Sequence, residues 1–194
     1  MGRGISRVVM IVRVVILCGL LLVLAAMAWQ YVGARHGNKL VDEGNAAIAA
    51  ATKLAIEAAG HYETLITDAT IKDLAANRNA LRPAVEQTAS LYAEATTQFR
   101  AGGEKFEEAS RQHVAGPVRD YWKVKAEQVQ TLGAANDTRR RIVLLLMDGA
   151  VTDLRSFHTK GDSLLAEVKK QTALSVQLEA KADKIMAANK ETFK

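Results

Sequence analysis

Cysteine, proline and aromatic residues are all scarce in this chain of 194 residues. Its one cysteine, Cys18, lies in an apolar segment, so no intrachain disulfide can form and a Cys-ligated metal site is excluded. The two prolines are Pro83 and Pro117, and aromatic residues make up 5% of the sequence. No stretch shows the sustained alternation of β-branched and polar residues that is typical of strands. The composition therefore predicts an all-α fold.

Motifs that carry catalysis or phosphate binding are also missing. The sequence contains no G-x-S-x-G, no Walker loop and no H-E-x-x-H. Glu57 and His61 are four residues apart rather than the three of a di-iron motif, and no second pair completes a site. We therefore expect a protein that is not an enzyme and that binds no cofactor and no metal.

Positive charge is concentrated at the N-terminus. The formal net charge is +5, but residues 1–36 contain four arginines and no acidic residue, which leaves 22 basic and 21 acidic residues over 37–194. Charges of both signs are interspersed in that longer part, where the longest block of like charge is Arg139-Arg140-Arg141. We therefore expect no nucleic-acid partner.

One long apolar run lies near the start of the chain. Residues 14–34 contain no charged residue, and a helix of these 21 residues would be about 31 Å long, close to the ~30 Å hydrocarbon thickness of a bilayer. The run predicts a single-pass transmembrane helix embedded in the lipid bilayer. The residues expected to anchor it, with aromatic side chains at the outer interface, are Val14, Leu20, Leu24, Trp29 and Tyr31.

The orientation of this helix follows from Arg3, Arg7 and Arg13, because basic residues beside an apolar run stay in the cytoplasm. We expect three parts: a short cytoplasmic N-terminus over 1–13, a signal-anchor helix over 14–34, and a periplasmic or other extracytoplasmic domain over 37–194.

A cleaved signal peptide is the alternative to an anchor. Ala26-Met27-Ala28 resembles an A-x-A cleavage site, and cleavage after Ala28 would release a soluble exported protein. Apolar and aromatic residues continue through Val32, where a cleaved protein usually becomes polar, and this favours the uncleaved anchor.

The first helix of the exported part is predicted over about 39–67. Its apolar stripe contains Leu40, Gly44, Ala51 and Ala58. His36-Gly37-Asn38 is the one plausible joint between this helix and the membrane helix. Thr70-Ile-Lys-Asp73 resembles a capping box and is expected to start the second helix.

The second helix carries the most regular pattern, a heptad seam whose members lie alternately four and three residues apart from Leu74 to His113. We expect one helix that is bent at Pro83 and locally weak at Gly102-Gly103, not three separate pieces, and the small seam residue Gly102 should allow close helix approach. Arg78 is the one fully charged member of the seam, and its guanidinium is expected to reach water. Gly116-Pro117 should end the helix.

The third helix is predicted to begin near Val118. The segment from Gly133 to Thr138 is either a kink within it or a break capped by Asp137, and both interpretations stay open. Residues 142–147 (IVLLLM) are apolar all round, so we expect burial on every side, in the core or under a partner. The fourth helix is predicted over about 160–192.

Short turns between long helices predict an elongated domain in which successive helices form antiparallel hairpins, that is, an up-down four-helix bundle. If the first helix leaves the membrane, the fourth returns toward it, and Lys194 should lie near the bilayer. The residues expected to contribute most to helix packing or interaction are apolar or aromatic: Leu81, Val85, Tyr92, Phe99, Phe106, Trp122 and Leu146.

The basic N-terminus, the membrane helix and a four-helix domain of about 155 residues together resemble the front end of bacterial chemoreceptors and sensor kinases. This resemblance is one of architecture, not of motif, and it implies a sensor-type ligand-binding module that signals through a partner. The heptad seam, the alanine-rich packing faces and the missing site chemistry favour a structural or assembly subunit instead. We expect an interaction subunit with a protein partner or a homo-oligomeric state, with sensing as the alternative.

Overall fold

The computed structural model describes the backbone of residues 2–67 and 73–193 and the side chains of residues 31–67 and 73–193. Within these ranges the protein is all-helical and contains no strand. Its four long helices are α1 (Gly2–Leu65), α2 (Leu74–Ser110), α3 (Gly116–Leu144) and α4 (Leu154–Ala188). Two 3-10 turns, Leu145–Met147 and Lys190–Phe193, follow α3 and α4. The prediction of an all-α helical bundle is confirmed.

The helices pack antiparallel and in chain order, α1 on α2, α2 on α3, and α3 on α4. Two ends of the bundle can therefore be defined. The near end contains Tyr31, the connection between α2 and α3, and Phe193, while the far end contains Leu65, Leu74 and the turn between α3 and α4. Among the described residues, the chain begins and ends at the same end of the bundle.

The core is layered along the bundle. The layer at the near end contains Leu40, Phe106 and Trp122. A middle layer contains Ala51, Phe99 and Val129, and the large layer at the far end includes Val85, Tyr92 and Leu146. A smaller group, Val124 with Leu178 and Ala182, joins α3 to α4.

Helix α1 continues through His36-Gly37-Asn38 without a joint. Its apolar stripe faces α2, with Gly44, Ala51, Ala58 and Leu65 buried at heptad intervals and Leu40 buried about one turn before Gly44. Thr70 of the predicted capping box lies outside the described residues. Helix α2 begins at Leu74, with Asp73 at its N-cap rather than inside its first turn, and the Asp73 side chain makes no capping hydrogen bond.

Helix α2 passes through Pro83 and Gly102-Gly103 as one continuous helix, as expected, and both glycines are buried. A Cβ added at Gly102 would lie 3.1 Å from the carbonyl oxygen of Gly44, and one added at Gly103 would lie 2.9 Å from the side chain of Gln130. The missing side chains let α1 and α3 approach α2 closely on its two sides. The seam itself ends at Ser110, one turn before His113.

Helix α3 is continuous from Gly116 to Leu144, so the segment from Gly133 to Thr138 is not a break. Gly133 is placed where the helix passes the base of the Phe99 side chain, since an added Cβ would lie 3.3 Å from the Phe99 Cβ. The glycine therefore serves packing between helices and does not mark an end.

The expectation that residues 142–147 are buried on every side is wrong for Leu144, which is 37% exposed. The reason is helical periodicity, because Ile142, Val143 and Leu146 lie within about 100° of one another around the helix axis and are all buried. Leu144 lies on the opposite face, and the α-helix gives way to a 3-10 turn directly after it.

Helix α4 begins at Leu154 rather than at Lys160, because Asp153 and Ser156 form a capping box. The Asp153 carboxylate accepts a hydrogen bond from the Ser156 backbone N–H at 2.8 Å, and the Ser156 hydroxyl oxygen accepts one from the Asp153 N–H at 3.0 Å. Hydrogen bonds from Ser156 hold the pKa of Asp153 below its usual value. The helix ends at Ala188, before the predicted limit at Thr192.

Arg78 does not extend into water as expected. Its guanidinium crosses to the far-end turn, where Nε donates to the carbonyl oxygen of Leu146 at 3.3 Å and Nη2 donates to that of Val151. The side chain is half-buried, while Leu146 and Val151 are fully buried. The charged member of the seam therefore fastens the turn between α3 and α4 to α2.

Over the residues with described side chains, no helix is both long enough and apolar enough to cross a membrane. The predicted anchor side chains Val14, Leu20, Leu24 and Trp29, and the predicted topology residues Arg3, Arg7 and Arg13, lie outside that range.

Candidate functional site

The most unusual feature of the bundle is an incomplete side. In a closed four-helix bundle the first and last helices also pack together. Here, within the described residues, α1 and α4 are not packed along each other, and α1 touches α3 only slightly. We call the face between α1 and α4 the open side.

Large apolar residues lie exposed along the α1 border of the open side. Ile56 is 68% exposed and Tyr31 is 70% exposed. Ile56 is seven residues before Glu63 and three before Ala59, so all three share one face of α1. Tyr31 lies on the same face about seven turns nearer the N-terminus.

The α4 border of the open side is also partly apolar. Val176 is 60% exposed and lies about three turns after Leu165 on the same face. Met186, which is also exposed, lies five turns after Val168. The two helices that lack each other as neighbours therefore both present apolar side chains to solvent.

A cleft of about 270 Å³ lies on the open side toward the far end and is lined by residues from all four helices. Ala59, Tyr62 and Glu63 come from α1, and Tyr92 comes from α2. Arg139 and Ile142 come from α3, and Leu165 and Val168 come from α4. The cleft is mostly apolar with a few polar lining residues, as in small-molecule sites, although its volume lies just below the range of about 300–1,000 Å³ that such sites usually have.

Two phenols face this cleft. The Tyr92 side chain is only 3% exposed. Its hydroxyl oxygen is nevertheless not fully buried, so it stays accessible from the cleft. Within the described residues, neither the Tyr62 nor the Tyr92 hydroxyl has a hydrogen-bond partner on another side chain or on the backbone. Burial raises the pKa of both phenols, so both remain protonated donors at neutral pH.

The three consecutive arginines of α3 have different surroundings. Arg140 pairs with Asp137 of its own helix at 3.6 Å, and Arg141 pairs with Glu167 of α4 at 3.7 Å. Arg139 lines the cleft and is half-buried, and within the described residues it forms no ion pair. Its positive charge opposes the effect of burial on the pKa of Tyr92. Arg139 is thus the cation available to a bound molecule.

A second and larger recess, of about 580 Å³, lies at the near end. Its walls include Tyr31, Tyr121, Trp122 and Phe193. The rings of Tyr121 and Phe193 meet edge to face, with centroids 5.4 Å apart. Trp122 is buried, whereas its neighbour Tyr121 on the same helix is half-buried against Phe193 of the C-terminal turn. The recess is aromatic on several sides and open to solvent.

The residues predicted for packing or interaction lie in the core layers rather than on one surface. Val85, Tyr92, Phe99, Phe106, Trp122 and Leu146 are buried, and Leu81 is half-buried against the far-end layer. Tyr92 is the one member that also lines the cleft.

Sequence reasoning missed Tyr62, Glu63 and Arg139 as candidate site residues. A signal existed for Arg139, which lies three residues before the buried Ile142 and so places a charge on the inner face of α3. No equivalent signal exists for the cleft itself, because it depends on the relative placement of four helices.

In the part of the chain with described side chains, no group of three or more His, Cys, Asp and Glu residues is placed to hold a metal ion. Comparison with known proteins adds no assignment: no protein-family model, no curated protein and no solved structure matches the chain.

Proposed function

We propose that the chain is a membrane-anchored, non-enzymatic interaction subunit whose helical domain lies outside the cytoplasm, and that it assembles with a second copy of itself through the open side. The observation that carries this proposal is the missing contact between α1 and α4, two helices that both present exposed apolar side chains there. Burial of such surface is the main source of free energy for protein association.

A second copy suits this surface because the open side can complement itself. A two-fold rotation about the long axis of the bundle sets α1 of one copy against α4 of the other, twice. Since α1 and α4 run in opposite directions, each new contact repeats the antiparallel packing of the other neighbouring helices. The same rotation keeps both N-terminal helices pointing the same way, as two anchors in one membrane require.

Disulfide cross-linking between two chains tests this arrangement. Ala59 and Glu63 of α1 line the cleft opposite Leu165 and Val168 of α4. Because the two helices are antiparallel, Ile56 and Thr172 lie at the same height along the bundle, on opposite borders of the open side. One chain carries Ile56→Cys and the other Thr172→Cys, each with Cys18→Ser and its own tag. We expect oxidation of the co-expressed full chains in membranes to join the two tags.

The matched control moves each cysteine by one residue, to Glu57→Cys and Ala173→Cys. Both positions are exposed, but each is turned by about 100° around its helix, away from the open side. Equal cross-linking of the two pairs, or none for either pair, would overturn self-assembly. Capture of a different membrane protein by the Ile56→Cys chain, with no homodimer, would also overturn it.

The proposed topology is tested with Glu57→Cys, which lies outside the proposed dimer contact. A membrane-impermeant maleimide should label Glu57→Cys in intact cells as fully as it does after lysis. Labelling that needs lysis would place the helical domain on the cytoplasmic side and overturn the anchor orientation.

A sensor-type ligand-binding module is the second candidate function, and the cleft is the observation that favours it. The cleft touches all four helices, so a molecule bound there would contact every element of the bundle. A ligand that binds one arrangement of these helices more tightly than another would shift their relative positions. A partner protein could then read that shift.

A further inference from the structure

We infer that the cleft binds a small organic acid, with its carboxylate on Arg139, its hydrogen-bonding oxygens near Tyr62 and Tyr92, and an apolar body against α4. This inference names the class of ligand for the second candidate function, the sensor module. Only the signalling consequence of binding rests on that proposed function. The site itself is formed within one chain.

The size of the cleft limits the ligand to a small molecule. An apolar protein cavity of about 150 Å³ holds one benzene molecule. At about 270 Å³, the cleft has room for a single aromatic ring or a branched aliphatic group together with a carboxylate. Larger polycyclic ligands would have to extend into solvent.

The walls of the cleft divide into an apolar and a polar part. Ala59, Ile142, Leu165 and Val168 provide the apolar part, which can bury a hydrocarbon group. The lining residues that carry polar groups are Arg139, Tyr62, Tyr92 and Glu63, and they contribute the smaller part of the wall. An amphiphilic ligand matches this division better than a wholly polar or wholly apolar one.

Arg139 determines the charge of the ligand. A guanidinium offers two parallel N–H donors, which match a carboxylate in bidentate geometry. The neighbouring arginines already have carboxylate partners, at 3.6 Å for Arg140 and 3.7 Å for Arg141. Arg139 lacks one within the described residues, although it is the arginine of the three that lines the cleft.

The two phenols add directional donors. The hydroxyls of Tyr62 and Tyr92 have no hydrogen-bond partner among the described residues, and both stay accessible from the cleft. A ligand oxygen between them could accept a hydrogen bond from each. Glu63 lies on the exposed border of the cleft and could accept an ammonium group, so amino acids fall within the proposed class.

Three related probes test the ligand class: phenylacetate, L-phenylalanine and phenethylamine. They share one aromatic ring and differ in whether they carry a carboxylate, a carboxylate with an amine, or an amine alone. The full chain is reconstituted in lipid nanodiscs with ¹³C-labelled tyrosine rings, and Tyr62→Phe and Tyr92→Phe assign the two signals. We expect phenylacetate to shift both signals and phenethylamine to shift neither, and L-phenylalanine shows whether an amine is tolerated.

Arg139→Gln and Arg140→Gln form the matched pair of variants. Loss of the Arg139 guanidinium should weaken phenylacetate binding by at least about tenfold, because hydrogen bonds to charged groups are the strong ones. Arg140→Gln should leave the affinity within about twofold, since Arg140 pairs with Asp137 outside the cleft. Circular dichroism checks that both variants remain helical.

Several results would overturn the ligand class. They are an absence of tyrosine shifts with both acids, equal binding by Arg139→Gln and wild type, or tighter binding of phenethylamine than of phenylacetate. The sensor function has a separate readout, the yield of the Ile56→Cys and Thr172→Cys cross-link. If phenylacetate bound without any change in the cross-link yield, the ligand site would be supported and the signalling role would be overturned.

Discussion

At the scale of single residues, Arg78 links elements that are distant in the sequence. Its guanidinium lies on α2 and donates to two carbonyl oxygens of the turn that follows α3. The heptad pattern assigned Arg78 to the inner face of its helix, but periodicity gives only the face of a residue and not its partner. Here that partner is the backbone of the turn between α3 and α4.

Replacing Arg78 by Met tests this link. The variant keeps an apolar stem but removes the donors to the Leu146 and Val151 carbonyls, so we expect it to lower the free energy of unfolding by about 1–3 kcal/mol. Arg82→Met is the control, because the Arg82–Glu86 pair is exposed and 3.9 Å long. Urea denaturation followed by circular dichroism measures both, and equal losses would contradict the structural role of Arg78.

The apolar run at residues 142–147 offers a second test at this scale. Leu146→Ala should cost about 2–5 kcal/mol, because Leu146 is fully buried in the far-end layer. Leu144→Ala should cost less than about 1 kcal/mol, because that side chain is more than one-third exposed. If Leu146→Ala changed stability by less than about 0.5 kcal/mol, Leu146 would belong to a contact surface and not to the core.

At the scale of helices, the glycines of α1 determine how closely its neighbours approach. A Cβ added at Gly37 would lie 2.6 Å from the ring of Trp122, a large side chain buried at the near end. Gly60, in the same helix, has no neighbouring atom within 4 Å of an added Cβ. The two positions share a helix and a residue type but differ in surroundings.

Substitution by alanine should therefore have opposite effects at the two glycines. Gly60→Ala should raise the free energy of unfolding by about 0.5–1 kcal/mol, because alanine has the higher helix propensity. Gly37→Ala should lower it, because the new methyl group forces Trp122 out of its present position. Thermal unfolding of the two variants measures the sign, and stabilisation by Gly37→Ala would contradict the close packing described for the near end.

Apolar spacing predicted the helices better than their ends or their neighbours. Val85, Tyr92, Phe99 and Phe106 recur at heptad intervals, and all four are buried, because a period of about 3.5 residues keeps one face turned inward. The start of α4 was missed because its capping box uses Ser156 where a glutamate or glutamine is usual. The close helix approach expected at Gly102 is confirmed, since an added Cβ there would lie 3.1 Å from the Gly44 carbonyl oxygen.

The candidate site was less accessible to sequence reasoning than the fold. Tyr92 was predicted as a packing residue, and Arg139 was noticed only as part of a charge block. The cleft exists because α1 and α4 do not pack against each other, and the apolar stripe of a helix does not show which neighbouring helix it lacks. A site formed by residues of several helices therefore cannot be predicted from hydrophobic periodicity alone.

At the scale of the whole molecule, the packing order divides the helices into two classes. Helices α2 and α3 each have a neighbour on both sides, whereas α1 packs mainly on α2 and α4 mainly on α3. Local opening requires fewer contacts to be broken at the outer helices. The bundle should therefore open from its two borders inward.

Amide hydrogen exchange tests this order in dilute detergent solution. We expect the amides of α2 and α3 to exchange slowest and those of the second half of α4 to exchange fastest. Raising the protein concentration should slow exchange in α1 and α4 if a second copy covers the open side. Uniform protection of all four helices at the lowest concentration would contradict the sequential packing.

Tyr31 and Phe193 line one recess at the near end, so α1 enters the bundle and the chain leaves it after α4 at the same end. A mechanical pull applied between them would peel α1 from α2 and α4 from α3 one layer at a time, as a zipper opens, instead of shearing whole helices past one another. The unfolding force would then be set by the contacts that break first, those of Trp122 with Gly37 and of Phe193 with Tyr121. It would depend little on the length of the helices.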